Sequence, residues 1–115
     1  MFDITEAVAK LLKRSCVESY YGTITSNLVT GGYVWVSRAN GVVSLKIENI
    51  QLSQNITART PIAKIPKGFP TVETYFDSCS GTSYARFHID TDGNIIIWPT
   101  TTRTHWATVT YVERQ

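Results

Sequence analysis

The sequence is poor in cysteine, in clustered charge and in long apolar runs, and each shortage excludes a class of protein. Its 115 residues include two cysteines, Cys16 and Cys79, which do not make a disulfide framework. We expect two free thiols, with one long-range disulfide as the alternative. The net charge is +2, and the only basic cluster, Lys10, Lys13 and Arg14, is too sparse for nucleic-acid binding. No apolar run approaches the roughly 20 residues that span a bilayer, so no membrane partner is expected.

Motifs for metal binding and catalysis are also missing. The histidines and cysteines are in neither an HExxH nor a CxxC spacing. The segment Asp90–Asn94 resembles the start of a calcium loop, but its glycine comes two positions too early, which favours a tight turn with Asx hydrogen bonds. Cys79 and His88 could form a nucleophile pair, but the sequence offers no third group or helix N-terminus that would activate the thiol. We therefore expect a binding protein that needs no cofactor and is not an enzyme.

The N-terminal segment has the pattern of a short amphipathic helix over residues 3–14. Asp3 and Glu6 form a capping-box pattern, and four apolar residues fall on one face at helical spacing, namely Ile4, Val8, Leu11 and Leu12. This face packs either on the chain's own β domain or against copies of itself around a symmetry axis. We predict an oligomer interface at these four residues, with 1–21 as the oligomerisation segment and 22–115 as a β domain.

After Gly22 the apolar pattern changes to a period of two, which is typical of strands. Asn40-Gly41 between two alternating segments predicts a hairpin. Residues 49–60 are interpreted as a weak strand and a loop, and residues 78–83 as a flexible loop. About seven short strands are expected in a mostly β fold, an antiparallel sandwich or a jelly-roll-like small barrel with a short N-terminal α-helix.

One predicted strand presents a chemically distinctive face. Ala85, Phe87 and Ile89 would point to the core, which leaves Tyr84, Arg86 and His88 on the other side. Aromatic rings can stack on sugar C–H faces, and arginine, histidine and aspartate can bind hydroxyls or a phosphate. The alternative is a subunit interface or a plain solvated face. The candidate ligand-binding residues are Tyr75, Asp77, Tyr84, Arg86, His88, Trp98, Arg103, His105 and Trp106. One of Trp98 and Trp106 is expected in the core, and Trp35 is expected to have a packing role.

From about Val34 to Tyr111 the chain resembles the head domains of receptor-binding proteins from tailed phages of Gram-positive bacteria. The best single match is the segment IAKIPKGFP at residues 62–70, followed by Asp92-Gly93-Asn94-Ile95 and a last strand with an aromatic near Tyr111. Here Pro70 follows Phe69 directly, whereas the family usually has a residue between them.

The resemblance implies a homotrimer that adsorbs to host cell-wall or pellicle saccharide without cleaving it. It also implies a place in the virion, at the phage tail or baseplate tip, beside other virion proteins and after synthesis in the host cytoplasm. The alternative is a structural virion protein, such as a capsid decoration, head fibre or baseplate connector, with no glycan ligand.

Overall fold

The computed structural model describes residues 18–80 and 83–112, which form nine strands in two antiparallel sheets. One sheet has the order β1-β3-β4-β9 and the other β2-β5-β8-β7-β6. The mostly β prediction is confirmed. The predicted helix, with Ile4, Val8, Leu11 and Leu12, lies outside the described residues, as does Cys16. The strands are β1 (Glu18–Tyr21), β2 (Thr23–Ile24), β3 (Val29–Ala39), β4 (Val42–Leu52), β5 (Thr60–Lys64), β6 (Thr74–Ser80), β7 (Ser83–Ile89), β8 (Asn94–Ile97) and β9 (Thr104–Val112).

The hairpin predicted at Asn40-Gly41 joins β3 to β4. Both residues have positive φ, 52° and 77° respectively, as a two-residue hairpin turn of this hand requires. β4 continues to Leu52, so the first part of residues 49–60 is strand. β1 lies within the segment 1–21, and its antiparallel pairing with β3 makes it part of the four-stranded sheet.

The flexible loop predicted over residues 78–83 is wrong. β6 continues through Ser80, β7 begins at Ser83, and the two strands pair as far as Ser80 with Ser83. The small polar residues of this segment are typical of loops, but the side chain of Ser78 points into the core. There its Oγ accepts a hydrogen bond from the backbone N–H of Ala85 over 3.2 Å, which explains why a serine is tolerated.

The core lies between the two sheets and is formed by alternate residues of the long strands. Val34 and Val36 of β3 are fully buried, as is Phe87 of β7, whose ring stacks on that of Phe76 with centroids 5.3 Å apart. Trp35 is not among these core residues. Because it alternates with the two valines, it faces outward and packs there against Tyr21 and not between the sheets.

Two turns place the strands that matter for function. Asp90 Oδ1 accepts hydrogen bonds from the backbone N–H groups of Asp92 (3.0 Å) and Asn94 (2.8 Å), which confirms an Asx turn between β7 and β8. In the turn at residues 66–70, Phe69 is buried. The Tyr111 hydroxyl donates to the Pro70 carbonyl over 2.7 Å, and burial raises the pKa of Tyr111 to about 12. Both turns therefore have a structural role.

Candidate functional site

Outward side chains on β6 and β7 alternate with core side chains, as predicted for β7. Phe87 and Ile89 are fully buried, whereas His88 between them is partly buried and Arg86, which precedes Phe87, is exposed. On β6, Tyr75 precedes the buried Phe76 and is itself 52% exposed. The outer face of the five-stranded sheet therefore has polar and aromatic side chains whose positions are set by the core beneath them.

Strand pairing brings five of the predicted site residues onto this face. Tyr75 is the register partner of His88, and Asp77 is the register partner of Arg86. The backbone N–H of Trp98, just after β8, donates to the Arg86 carbonyl over 2.9 Å. Residues that lie far apart in sequence thus share one surface on three neighbouring strands.

Three aromatic rings form the centre of this surface. The rings of Tyr75 and His88 are stacked, with centroids 4.3 Å apart and planes 3° from parallel. The Tyr75 ring meets Trp98 edge to face, with centroids 6.2 Å apart. Offset stacking and edge-to-face contacts are the preferred aromatic geometries. The rings therefore hold one another in place as a platform on the sheet.

Two guanidinium groups approach the Trp98 ring. Arg59 Cζ lies 3.9 Å from the ring centroid and Arg86 Cζ lies 5.3 Å from it, both within the range of cation–π attraction. Arg86 Nε is 3.5 Å from Asp77 Oδ1, a long and exposed ion pair that contributes little to stability. Arg59 has no carboxylate partner among the described residues, so this side of the platform carries an excess of positive charge.

Glu73 lies at the other edge of the platform. Its Oε1 accepts a hydrogen bond from the Tyr75 hydroxyl over 3.1 Å, which raises the pKa of that phenol. His88 Nε2 lies 3.3 Å from the same oxygen but without hydrogen-bond geometry. His88 Nε2 and Trp98 Nε1 are both buried and lack a hydrogen-bond partner within the described part of the chain. Buried polar atoms in this state are rare in native proteins.

We name this surface the Trp98 cluster, consisting of Arg59, Glu73, Tyr75, Asp77, Arg86, His88 and Trp98. The sequence analysis missed Arg59 and Glu73. Both precede strands in segments without a periodic pattern, and Arg59 meets Trp98 only because β5 pairs with β8. No local signal in the sequence could have shown that contact.

Three other predicted site residues lie elsewhere or are not described. Trp106 is 48% exposed, but it belongs to β9 and therefore faces outward from the other sheet. Arg103 lies in the loop before β9, where its Nε donates to Asn55 Oδ1 over 3.3 Å. The backbone of Tyr84 pairs with Cys79 in β7 and β6, but its side chain lies outside the described structure.

His105 is buried between the sheets, so the prediction that it faces a ligand is corrected. The side chain is 0% exposed, and its Nε2 lies 2.8 Å from the Thr102 carbonyl oxygen, which can only accept. Nε2 therefore carries the proton, and Nδ1 accepts from the Ser78 hydroxyl over 3.0 Å. Because neighbouring Trp106 is exposed, strand alternation places His105 inside.

Burial of neutral His105 predicts a loss of stability in acid. Desolvation lowers the pKa of His105 in the folded protein. In the unfolded chain the histidine pKa is about 6.5, so the unfolded chain binds the proton more readily than the folded protein does. Stability should be at its full value above about pH 6.5 and fall below it, by at most about 1.4 kcal/mol per pH unit until the folded-state pKa is reached. Urea unfolding at pH 7.5 and pH 5.0 measures this.

The chain has two histidines, which provide a matched pair of variants. His105→Gln is expected to flatten the pH dependence of the free energy of unfolding, whereas His88→Gln keeps it. An unchanged slope in His105→Gln would contradict the assignment.

Neither a cluster of metal-ligating side chains nor a membrane-spanning helix is found in the described residues. Within residues 18–80 and 83–112, no group of three or more histidine, cysteine or acidic side chains is placed to hold a metal ion. The same residues contain no helix that is long and apolar enough to cross a membrane.

Comparison with known proteins gives the fold. No protein-family profile and no curated protein sequence matches the chain. Among solved structures, the head domain of phage bIL170 aligns with this chain with a TM-score of 0.68. That structure was presented with the question of whether the receptor binding domains of lactococcal phages share a common fold. The chain has the fold of a phage receptor-binding head domain. The head-domain fold covers 86% of this chain and 100% of the bIL170 chain at 13% sequence identity, and it confirms the resemblance that the sequence suggested.

Proposed function

We propose that the chain is a phage virion receptor-binding head that adsorbs to host cell-surface saccharide without cleaving it. The observation that carries this proposal is the Trp98 cluster, which combines an aromatic platform, two guanidinium groups and two carboxylates on one sheet face. Its fold is that of a head domain from a phage, which supports the same assignment. We further propose a place at the tail or baseplate tip.

The chemistry of the cluster suits a sugar. The exposed ring of Tyr75 offers a flat surface for sugar C–H groups, and Arg86 can donate to hydroxyl or phosphate oxygens. The buried N–H of Trp98 has no acceptor among the described residues, so a ligand oxygen that reached it would satisfy it.

The position of the cluster on strands favours binding over catalysis. Tyr75, Arg86 and His88 stand directly above buried core residues on paired strands, so few side chains must be ordered when a ligand binds. Asp77 is engaged by Arg86, and Glu73 by Tyr75. These two carboxylates therefore have roles in positioning their neighbours.

The proposed partners are host cell-wall or pellicle saccharide and other virion proteins, with a homotrimer as the working form. If the chain is instead a structural virion protein, the same surface would contact another subunit and would have no affinity for glycans. Binding measurements distinguish these two functions.

Replacing Trp98 by alanine is expected to weaken saccharide binding by at least about tenfold, the effect of losing a central aromatic contact. Calorimetry with cell-wall polysaccharides purified from a panel of lactococcal and other Gram-positive strains measures this. Arg59→Ala should show a similar loss. Trp106→Ala removes the same side chain type from the opposite sheet and is expected to keep the affinity.

Two outcomes would contradict the proposal. In the first, no polysaccharide of the panel gives heat of binding, and Trp98→Ala changes only the oligomeric mass measured by light scattering, which would support the structural virion protein. In the second, Trp98→Ala and Trp106→Ala lose affinity equally, which would place the ligand elsewhere.

A further inference from the structure

Aromatic side chains on three strands line the outer face of the four-stranded sheet. The Tyr21 ring of β1 meets the Trp35 ring of β3 edge to face with centroids 4.9 Å apart, and it meets Tyr33 in the same way with centroids 5.6 Å apart. Trp106 of β9 lies on the same face, because the preceding His105 is buried. Tyr21 is 61%, Tyr33 43% and Trp106 48% exposed, so these three rings leave on the order of 300 Å² of largely apolar surface in water.

Aliphatic and hydroxyl side chains extend this face to the other end of the strands. Val42 of β4 and Val112 of β9 are register partners, and both point outward and are exposed. Between them and the rings, Ser44 Oγ and Thr110 Oγ1 lie 3.5 Å apart. From Val42 to Glu48 the four strands cover an outline of roughly 24 Å by 19 Å. With the relief of its side chains, such a face approaches the roughly 800 Å² that each partner contributes to a standard protein–protein interface.

The polar groups on this face are largely paired with one another. Lys46 and Glu48 are its only charged side chains within the described part of the chain, and they form an ion pair. The Tyr33 hydroxyl donates to the same carboxylate. The Trp98 cluster, on the outer face of the other sheet, instead has two arginines, two carboxylates and a histidine. Because interface cores are depleted of charged residues and paired polar groups lose less on leaving water, the outer face of the four-stranded sheet is the easier one to bury.

A second copy of this chain is the partner that the sequence and the charges favour. The segment with the predicted amphipathic pattern, residues 3–14, precedes β1, which is part of this sheet and carries Tyr21. Copies that associate through this segment would bring their β1 strands, and hence this face, close to one another. Lys46 and Glu48 place both signs of charge on one surface, so the same surface on another copy is electrostatically complementary to it.

We infer that the outer face of the four-stranded sheet is the contact between copies of this chain. The rings of Tyr21, Tyr33 and Trp106 would be its apolar anchors, with Lys46 and Glu48 pairing across the contact as well as within each copy. The inference rests on the self-association in the proposed function and adds the surface that holds the copies together.

This contact has a consequence for the Trp98 cluster. Because the cluster lies on the outer face of the other sheet, it would face away from the contact and stay open. Each assembly would then present one such cluster per copy, which raises the avidity for a polymer.

Sedimentation and light scattering of the full chain from about 1 to about 300 μM measure the self-association, since the affinities of interfaces of this size include this range. The wild type should reach a whole multiple of the 12.9 kDa chain mass. Trp106→Glu puts an unpaired charge in the contact and is expected to raise the dissociation constant by at least about tenfold. If Trp106→Glu does not fold, Thr110→Glu adds the charge at an exposed side chain beside Ser44, with the same increase expected.

Thr91→Glu is the matched control for the added charge. Thr91 is an exposed residue of the turn between β7 and β8, away from this face, so the variant should keep the wild-type dissociation constant. Hydroxyl-radical labelling read by mass spectrometry then locates the contact. In the assembled protein Tyr21 and Trp106 should be labelled several-fold less than in the dilute monomer, whereas Tyr75 on the other sheet should be labelled equally in both.

The inference is overturned if the mass stays that of one chain over the whole range, or if Trp106→Glu and Thr110→Glu associate as the wild type does. It is also overturned if an assembly forms while Tyr21 and Trp106 stay fully reactive. Protection of Trp106 in a monomer would contradict it as well, because another part of the chain would then cover the face. An assembly that binds no glycan removes saccharide adsorption and keeps the contact, whereas a monomer that binds glycan through Trp98 keeps adsorption and removes the contact.

Discussion

Replacing Gly32 by alanine is expected to lower the free energy of unfolding by about 3 kcal/mol or more. Gly32 has φ of +89°, a conformation that L side chains rarely adopt, and a Cβ built there would overlap the carbonyl group of Asn49 and lie 2.6 Å from the nitrogen of Ile50. All of these atoms belong to the backbone of β4, so the overlap can be relieved only if β3 and β4 move apart at their bulge. Urea unfolding monitored by circular dichroism measures the loss.

Gly31 provides the matched control for this change. A Cβ at Gly31 would meet first the side-chain oxygen of Gln51, at 3.3 Å, and an exposed side chain can turn away. Gly31→Ala should therefore cost far less than Gly32→Ala. Equal losses for the two variants would mean that backbone crowding at Asn49 does not determine the effect.

Replacing Phe87 by alanine is expected to lower the free energy of unfolding by about 3–5 kcal/mol, the range found when large core side chains are truncated. The Phe87 side chain is fully buried; it stacks on Phe76 and meets the edge of His105 with centroids 5.6 Å apart. Truncation would leave a cavity between the sheets and remove both contacts. Denaturant unfolding at pH 7.5, where His105 is neutral, measures the loss.

Tyr75→Ala is the control for Phe87, because it removes a ring from the outer face of the neighbouring strand. Its expected loss is below about 1 kcal/mol, since half of the ring is already in water. If Phe87→Ala does not fold, Phe87→Leu should still fold and lose less, because it keeps most of the apolar contact. A Phe87→Leu variant as stable as the wild type, or losses reversed between Phe87 and Tyr75, would contradict the assignment of faces.

Local patterns in the sequence were sufficient for much of the fold. The alternation of Arg86 and His88 with buried neighbours, and the positive φ of Asn40-Gly41, depend on residues adjacent in sequence. A period-two pattern also states which residues share a face of one strand. These parts were predicted from the sequence and are confirmed.

The candidate site depended on pairing between distant segments, which local patterns do not determine. Arg59 and Trp98 meet because β5 pairs with β8, and no spacing in the sequence encodes that neighbour relation. His105 and Trp106 are a different case, because they are adjacent in one strand and local alternation is enough to place them on opposite faces. The prediction that one of Trp98 and Trp106 lies in the core is wrong, because Trp98 is only partly buried on the outer face of one sheet and Trp106 is exposed on the outer face of the other.

The alternation of core and surface positions on β6 and β7 also bears on how such a protein evolves. Residues that would contact the host, such as Tyr75 and Arg86, sit one position away from residues that hold the sheets together, such as Phe76 and Phe87. Outward positions can therefore change charge, size or hydrogen-bonding capacity while the inward ones stay as they are. Under the proposed function, point substitutions on this face would change which host saccharide is bound without rebuilding the domain.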